Sequence, residues 1–453
     1  MESRNPATEE IIAEYPEHSA AQIEEILQKA DDAFQQWRRV SIAERGSLLK
    51  RVAAGFRRKR DELAELMTAE VGKTITASEA EVDKCALACD FFAENAEEFL
   101  SPETIVSDAS RSYVRFDALG PVLAIMPWNF PMWQVIRFAA PALMAGNVGI
   151  LKHAPNVPGC ALALERTFAE AGFPGGVFSA VLIADNQAAQ RLVDHPVIRA
   201  VTLTGSDRAG AAVAGAAGGR LKKTVMELGG SDAFIVLADA DVEAVAAKAA
   251  EARCLNNGQS CIAAKRFIVE SVIADRFEKA MIAAMAAMKM GDPMDRSTRV
   301  GPLARRDLVD HLDQQVRQSI EQGAKLKLGG RRGSGKGFFY EPTVLTDLQH
   351  GMAAMDEETF GPVAAVIRAN DAKDAVRLAN ESCYGLGASI WTKDTDRAQS
   401  LAGEIEAGAV FINGIVKSDP RLPFGGVKNS GWGRELSQFG IHEFVNIKTI
   451  WVK

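Results

Sequence analysis

A thiol stands in Asn257-Gly258-Gln259-Ser260-Cys261-Ile262, after small, polar, flexible residues that let a backbone approach a ligand closely. Cysteine is the best nucleophile among side chains even with only a few per cent of thiolate at neutral pH, although a lone cysteine can equally be a small buried hydrophobe. Glu227 closes an apolar run and precedes Gly229 and Gly230. A carboxylate at a strand end acts as a general base when partial burial lifts its pKa, and is otherwise a surface turn residue. Asn129 lies in Pro127-Trp128-Asn129-Phe130-Pro131, a turn stiffened by two prolines, where its amide can donate to an oxygen on which negative charge develops. Thr204-Gly205-Ser206 joins an apolar run to a helical pattern from Asp207, the geometry that suits a phosphate or a nicotinamide. It lacks the G-x-G-x-x-G spacing, and a P-loop is missing, which counts against kinases and ATPases. The six histidines (His18, His153, His195, His311, His350, His442) stand apart from Cys261, so a Cys-His protease has no support, and no cysteine spacing matches a zinc site. No metal is expected.

These residues need strands and helices to hold them. Ser19 opens a run with Ile23, Ile26, Leu27, Ala30, Phe34 and Trp37 at helical spacing, and Ser41 opens another with Leu48, Leu49, Val52 and Phe56, giving a helical layer in the first hundred residues. Residues 112 to 126, broken by Leu119-Gly120-Pro121, suggest a hairpin or two edge strands. Short apolar runs follow at Val122 to Met126, Val148 to Leu151, Val177 to Leu182, Ala200 to Leu203 and Thr224 to Met226, with helical patterns between them. That alternation is the mark of βα units on a parallel sheet, whose ligand crevice lies at the carboxyl ends of the strands. A second alternation runs from Phe234 through a helix at 241 to 253, Phe267 to Val269, Val363 to Ile367, Leu386 to Trp391 and Ala409 to Ile412. Gly329 to Gly337 is expected as a surface loop. The end of the chain, Ile447 to Val452, reads as a strand in need of a partner sheet, in this chain or in another subunit.

At 453 residues the chain has room for about three domains. Hydrophobic residues at 47% and charged ones at 25% are the balance of a folded, water-borne protein. A net charge of -7 offers no positive field for a nucleic acid backbone, so none is expected as partner. The first thirty residues lack a signal-peptide core, and no run is apolar enough to span a membrane. Six sparse cysteines argue for a reducing, cytoplasmic setting.

Together these motifs, with Asn5-Pro6-Ala7-Thr8, Glu358-Thr359-Phe360-Gly361-Pro362 and Pro423-Phe424-Gly425-Gly426-Val427-Lys428, resemble the NAD(P)-dependent aldehyde dehydrogenase superfamily over nearly the whole chain, and the sequence looks most like its bacterial succinate-semialdehyde dehydrogenases. The resemblance implies an α/β fold with two Rossmann-type domains and a small β oligomerisation flap. Its divisions would be 1-100 and 121-226, with 428-440, for the cofactor; 227-427 for catalysis; and 101-120 with 441-453 for assembly as a homodimer or homotetramer. It also implies catalytic roles for Cys261 (nucleophile), Glu227 (base for water) and Asn129 (oxyanion donor), and a path for NAD or NADP along Trp128, Lys152, Gly205, Ser206, Glu358 and Phe360.

One departure concerns the cofactor. Many members place a glutamate three residues after the cofactor lysine to chelate the adenosine ribose; here that place is Pro155, so no anion opposes a 2′-phosphate and both NADP and NAD are expected. On the substrate side, Arg137 is placed like an arginine that binds a substrate carboxylate, or else makes a structural ion pair. A second arginine of some relatives is Leu255 here, and Ser418 is the substitute donor. Another semialdehyde, or an aliphatic or aromatic aldehyde, stands as the alternative substrate, and a catalytically silent binding protein on the same fold as the more distant one.

Overall fold

A computed structural model describes residues 1–453. Ser19 and Ser41 do what their positions promise. Each accepts from a backbone N–H three residues on, while Gln22 or Glu44 reaches back to the serine N–H, closing capping boxes on helices Ala20–Trp37 and Ile42–Arg58. Leu27, Ala30, Phe34 and Trp37 on the first helix, and Leu49, Val52 and Phe56 on the second, are buried. With Arg60–Val71 and Ile75–Phe99 these helices form a layer against the first sheet.

That sheet runs in the order Gly431–Trp432, Lys223–Glu227, Ala200–Thr204, Pro121–Met126, Val148–His153, Phe178–Ala180, parallel except for the short strand Gly431–Trp432 at its edge. The second sheet has seven strands: Lys325–Leu328, Thr343–Thr346, Val363–Ala369, Arg266–Glu270, Ala233–Val236, Gly387–Trp391 and Ala409–Ile412. Only Lys325–Leu328 is antiparallel to its neighbour. One core cluster of 69 residues joins the helical layer to the first sheet, and clusters of 29 and 21 cover the two faces of the second, so each sheet is buried on both sides as parallel strands require. No helix is long and apolar enough to cross a membrane.

One expectation is corrected. Residues 112 to 126 form neither a hairpin nor edge strands. Arg111–Ala118 is the middle strand of a three-stranded antiparallel sheet, whereas Pro121–Met126 is an interior strand of the first parallel sheet. Asn147 Oδ1 accepts from the N–H groups of Leu119 and Gly120 and so ends one strand and redirects the chain before the next. A run as apolar as Val122 to Met126 needs cover on both faces, which an edge cannot supply. The C-terminal strand Val445–Val452 finds its partner in the same chain, pairing with Arg111–Ala118 from Val445 opposite Ala118 to Val452 opposite Arg111. The strands Lys325–Leu328 and Thr343–Thr346 escaped the sequence reading because neither has an apolar run: the first alternates lysine and leucine at an exposed edge and the second has only Val344 and Leu345 between threonines.

Candidate active site

Four neighbouring strands of the first sheet end on the residues that the motifs singled out. Pro121–Met126 leads into Asn129, Val148–His153 carries Lys152, Ala200–Thr204 leads into Gly205-Ser206, and Lys223–Glu227 ends on Glu227. Ile125 lies opposite Lys152 and Thr204 opposite Glu227, so all four sites occur at one edge, where a parallel sheet has its ligand crevice. A cavity of about 450 Å³ opens there, lined by Trp128, Asn129, Gly205, Ser206, Cys261, Glu358 and Phe360 among others. Ser206 caps helix Asp207–Gly219, and Trp128 meets Phe360 edge to face at 5.8 Å. Glu358 accepts from the Gly230 N–H at 3.0 Å with Lys265 Nζ 3.6 Å away; burial pushes its carboxyl up while Lys265 draws it down. Lys152 does not line this cavity. It is buried with no ion-pair or hydrogen-bond partner; burial lowers its ammonium pKa and Glu17 opposes the fall.

Cys261 belongs to two cavities at once. On its other side a second one, of about 220 Å³, is walled by Phe130, Trp133, Arg137, Leu255, Ser418 and Phe424 among others. The thiol therefore sits at a junction, and burial pushes its pKa up to about 12 in spite of Arg137 and Lys265 nearby. Burial thus favours the protonated thiol at neutral pH. Alkylation of Cys261 by iodoacetamide, followed by mass spectrometry, should accordingly be slow at pH 7 and still climbing at pH 10; a plateau by about pH 9, where an ordinary thiol is already ionised, would contradict this.

The turn bearing Asn129 is fixed from several sides. Asn129 Nδ2 donates to the Gln259 carbonyl at 3.0 Å and its Oδ1 accepts from Gln134 Nε2 at 3.1 Å, which orients the amide, and Asn129 and Cys261 line the same cavity. Below it lies the fully buried ion pair Lys73–Glu81, with Glu81 also accepting from the N–H groups of Met132 and Trp133 at 2.9 Å each, at the start of helix Trp133–Met144.

Glu227 stands apart from the other two catalytic candidates. It is buried, not the surface turn residue that its sequence context allowed, yet it lines neither cavity. One carboxyl oxygen has no partner, and burial lifts its pKa well above the usual range, with Arg137 pulling the other way and Glu435 adding to the rise. Arg137 pairs with Glu435 in the interior, packs its guanidinium 4.6 Å over the Phe424 ring and reaches the second cavity. Its charge is thus shared with a structural partner.

Residues 1–450 match the model of the aldehyde dehydrogenase family. The chain belongs to this family. It is 50% identical to a probable NADP-dependent succinate-semialdehyde dehydrogenase of Synechocystis over 99% of this chain and 98% of that protein. A succinate-semialdehyde dehydrogenase of Escherichia coli named for NAD(P) is 48% identical, over 99% and 97%. The crystal structure of succinic semialdehyde dehydrogenase from Streptococcus pyogenes with NADP superposes with a TM-score of 0.97 at 36% identity, covering 100% of this chain and 99% of that one.

In this aldehyde dehydrogenase the loop bearing Cys261 is held by residues that the motifs passed over. Asn256, Asn257 and Gly258 all take left-handed backbone conformations, at φ of 53°, 58° and 75°. A Cβ on Gly258 would come within 2.3 Å of the Gly361 backbone, so glycine is required there. Asn256 Nδ2 donates to the Asn129 carbonyl at 2.7 Å, Asn257 Nδ2 to Gly72 and Pro302, and Lys265 Nζ to the carbonyls of Ser260, Cys261 and Ala263. The Asn-Asn-Gly turn was visible in sequence as a turn signal; its partners, up to 185 residues away, were not.

Proposed function

We propose that this enzyme oxidises succinate semialdehyde to the dicarboxylic acid with NADP or NAD. The observation that carries the reading is Cys261 at the meeting point of two cavities, one along strand ends that suit a dinucleotide and one with cationic walls. The names of the similar bacterial enzymes support the same substrate.

The residues present fit the dinucleotide. Lys152 is a buried cation with no ion-pair or hydrogen-bond partner, although Glu17 acts on it from a distance, and such a group suits a 2′-phosphate. A side chain at Gly229 would meet Glu358 at 2.8 Å, so that position leaves the cleft open. Lys152, Gly205, Ser206, Trp128, Glu358 and Phe360 would hold NAD or NADP, whose nicotinamide supplies the hydride acceptor when bound.

Within the site, the Cys261 thiolate adds to the aldehyde carbon. Asn129 Nδ2 and the Cys261 N–H, which donates to no other backbone carbonyl, hold the oxyanion of the thiohemiacetal. Loss of hydride from that carbon leaves a thioester on Sγ. Glu227, rotating from its packed position toward the thioester, takes a proton from water, and hydrolysis releases the acid and restores the thiol. Arg137 and Ser418 on the wall of the second cavity face the far end of the substrate. The division of labour follows the sheets: 1-100 and 121-226, with 428-440, bind the cofactor, 227-427 carries catalysis, and 101-120 with 441-453 serves assembly of a homodimer or homotetramer, which gel filtration at monomer size would refute.

Steady-state kinetics with succinate semialdehyde, glutarate semialdehyde, butyraldehyde and benzaldehyde, each with NADP and NAD, test the reading. Succinate semialdehyde should give the highest kcat/KM, and a neutral aldehyde in first place would overturn it. Pro155→Glu restores a glutamate three residues after Lys152, the position where this chain has proline. A like charge facing a 2′-phosphate across a partly wet site costs about 2–3 kcal/mol, so kcat/KM with NADP should fall on the order of 10²-fold while that with NAD holds. Equal effects on both cofactors would remove Pro155 from the adenosine site.

A further inference from the structure

The second cavity has a cation that no carboxylate of the protein pairs with directly. Three basic side chains, Lys84, Arg137 and Lys417, and a single acid, Glu81, contribute to its wall. Glu81 is consumed by Lys73 and by the N–H groups of Met132 and Trp133. Arg137 is consumed by Glu435, and Lys417 is exposed to solvent. Lys84, from the middle of helix Ile75–Phe99, is half-buried and has no carboxylate partner. Its Nζ donates to Ser418 Oγ at 2.7 Å and lies 4.2 Å from the centre of the Trp133 ring. Trp133 Nε1 donates to the same Ser418 oxygen at 3.0 Å. The hydroxyl and the ring fix the ammonium in place without neutralising it, an arrangement that is costly unless an anion arrives.

Resting on the reading of this cavity as the substrate site, we infer that Lys84 is the principal ion-pair partner of the substrate's remote carboxylate, with Ser418 and Trp133 as its positioning residues. It stands in for the second arginine that Leu255 replaces: a point charge reaching the same cavity from the helical layer instead of from the nucleophile loop. Arg137, already paired, contributes field and shape. The electrostatic surroundings agree. Burial lowers the Lys84 pKa to about 8; Arg137 on the neighbouring helix adds to the fall, and Cys85, Glu81 and Asp419 oppose it. A substrate carboxylate would therefore meet an ammonium below about pH 8 and an increasingly neutral amine above it.

Lys84→Met keeps the stem that packs on Trp133 and removes the charge. KM for succinate semialdehyde should rise on the order of 10²-fold with kcat little changed, while KM for butyraldehyde, of equal length but neutral, stays the same or falls. In the wild type, KM for the semialdehyde should climb as pH passes 8, and Lys84→Arg, which stays charged, should flatten that climb. Parallel changes for both aldehydes in Lys84→Met, or a pH profile of KM that Lys84→Arg leaves unaltered, would overturn the assignment. If the wild type itself fails to prefer the semialdehyde, the substrate reading falls; if it prefers it and Lys84→Met does so equally, only Lys84 falls.

Discussion

Cys261→Ala should abolish aldehyde-dependent reduction of NADP, with kcat lowered by at least about 10⁴-fold, because no other nucleophile reaches the junction of the two cavities. The other five cysteines do not line either cavity, and Cys85, Cys89, Cys160 and Cys254 are buried. The fold should survive. Trimming one half-buried thiol removes few contacts, costing about 1 kcal/mol or less, so thermal unfolding should shift little and cofactor binding should persist. Stopped-flow absorbance at 340 nm gives the answer: a remaining burst of reduced cofactor in the variant would mean that hydride leaves a carbon that Cys261 never attacked.

Glu227→Gln separates the two halves of the reaction. Glutamine matches the shape of the buried side chain but cannot take a proton from water, so acylation should proceed and deacylation should stall. The expected trace is a burst of reduced cofactor close to one per active site followed by a steady rate lower by about 10²–10⁴-fold, with the thioester trapped on Cys261 visible by mass spectrometry. A variant that slows with no burst would place Glu227 before hydride transfer. Stability responds in a sense that the burial dictates. The folded-state pKa of Glu227 lies above the unfolded value, so its contribution is full below the unfolded pKa and is lost as pH rises through the folded one. At neutral pH the wild type carries that loss and Glu227→Gln does not; the variant should unfold at an equal or higher temperature, and its advantage should vanish near pH 4.

The three catalytic candidates and the strand-end placement were legible because each depends on local chemistry. Asn129 sits between two prolines, Glu227 before two glycines and Cys261 after an Asn-Asn-Gly turn, and every apolar run expected between 122 and 226 contains a strand. Such signals survive in one dimension. The failure at 112 to 126, and the C-terminal strand's partner, which apolar patterning left open and only the family resemblance put in 101-120, were questions of which strand pairs with which. Arg111–Ala118 and Val445–Val452 are more than 300 residues apart, and an alternating pattern shows that a strand exists without naming its neighbour.

The same distinction separates Arg137 from Lys84. Arginine ten residues after Pro127 invited a substrate role from its type and position, but its partner Glu435 comes from near the other end of the chain and spends much of its charge. Lys84, one of many charged residues on a long helix, offered no motif at all. What marks it is an environment: the Ser418 hydroxyl and Trp133 ring brought to it from two other segments, with no carboxylate among them. The sequence by itself singled out the candidates for the reaction chemistry, since side-chain identity and short spacing are what proposed Cys261 as nucleophile, Glu227 as base and Asn129 as oxyanion donor. Only the tertiary structure decided which charges are already paired and which remain free for a substrate, because pairing in a low-dielectric interior depends on distances between segments that the chain leaves far apart.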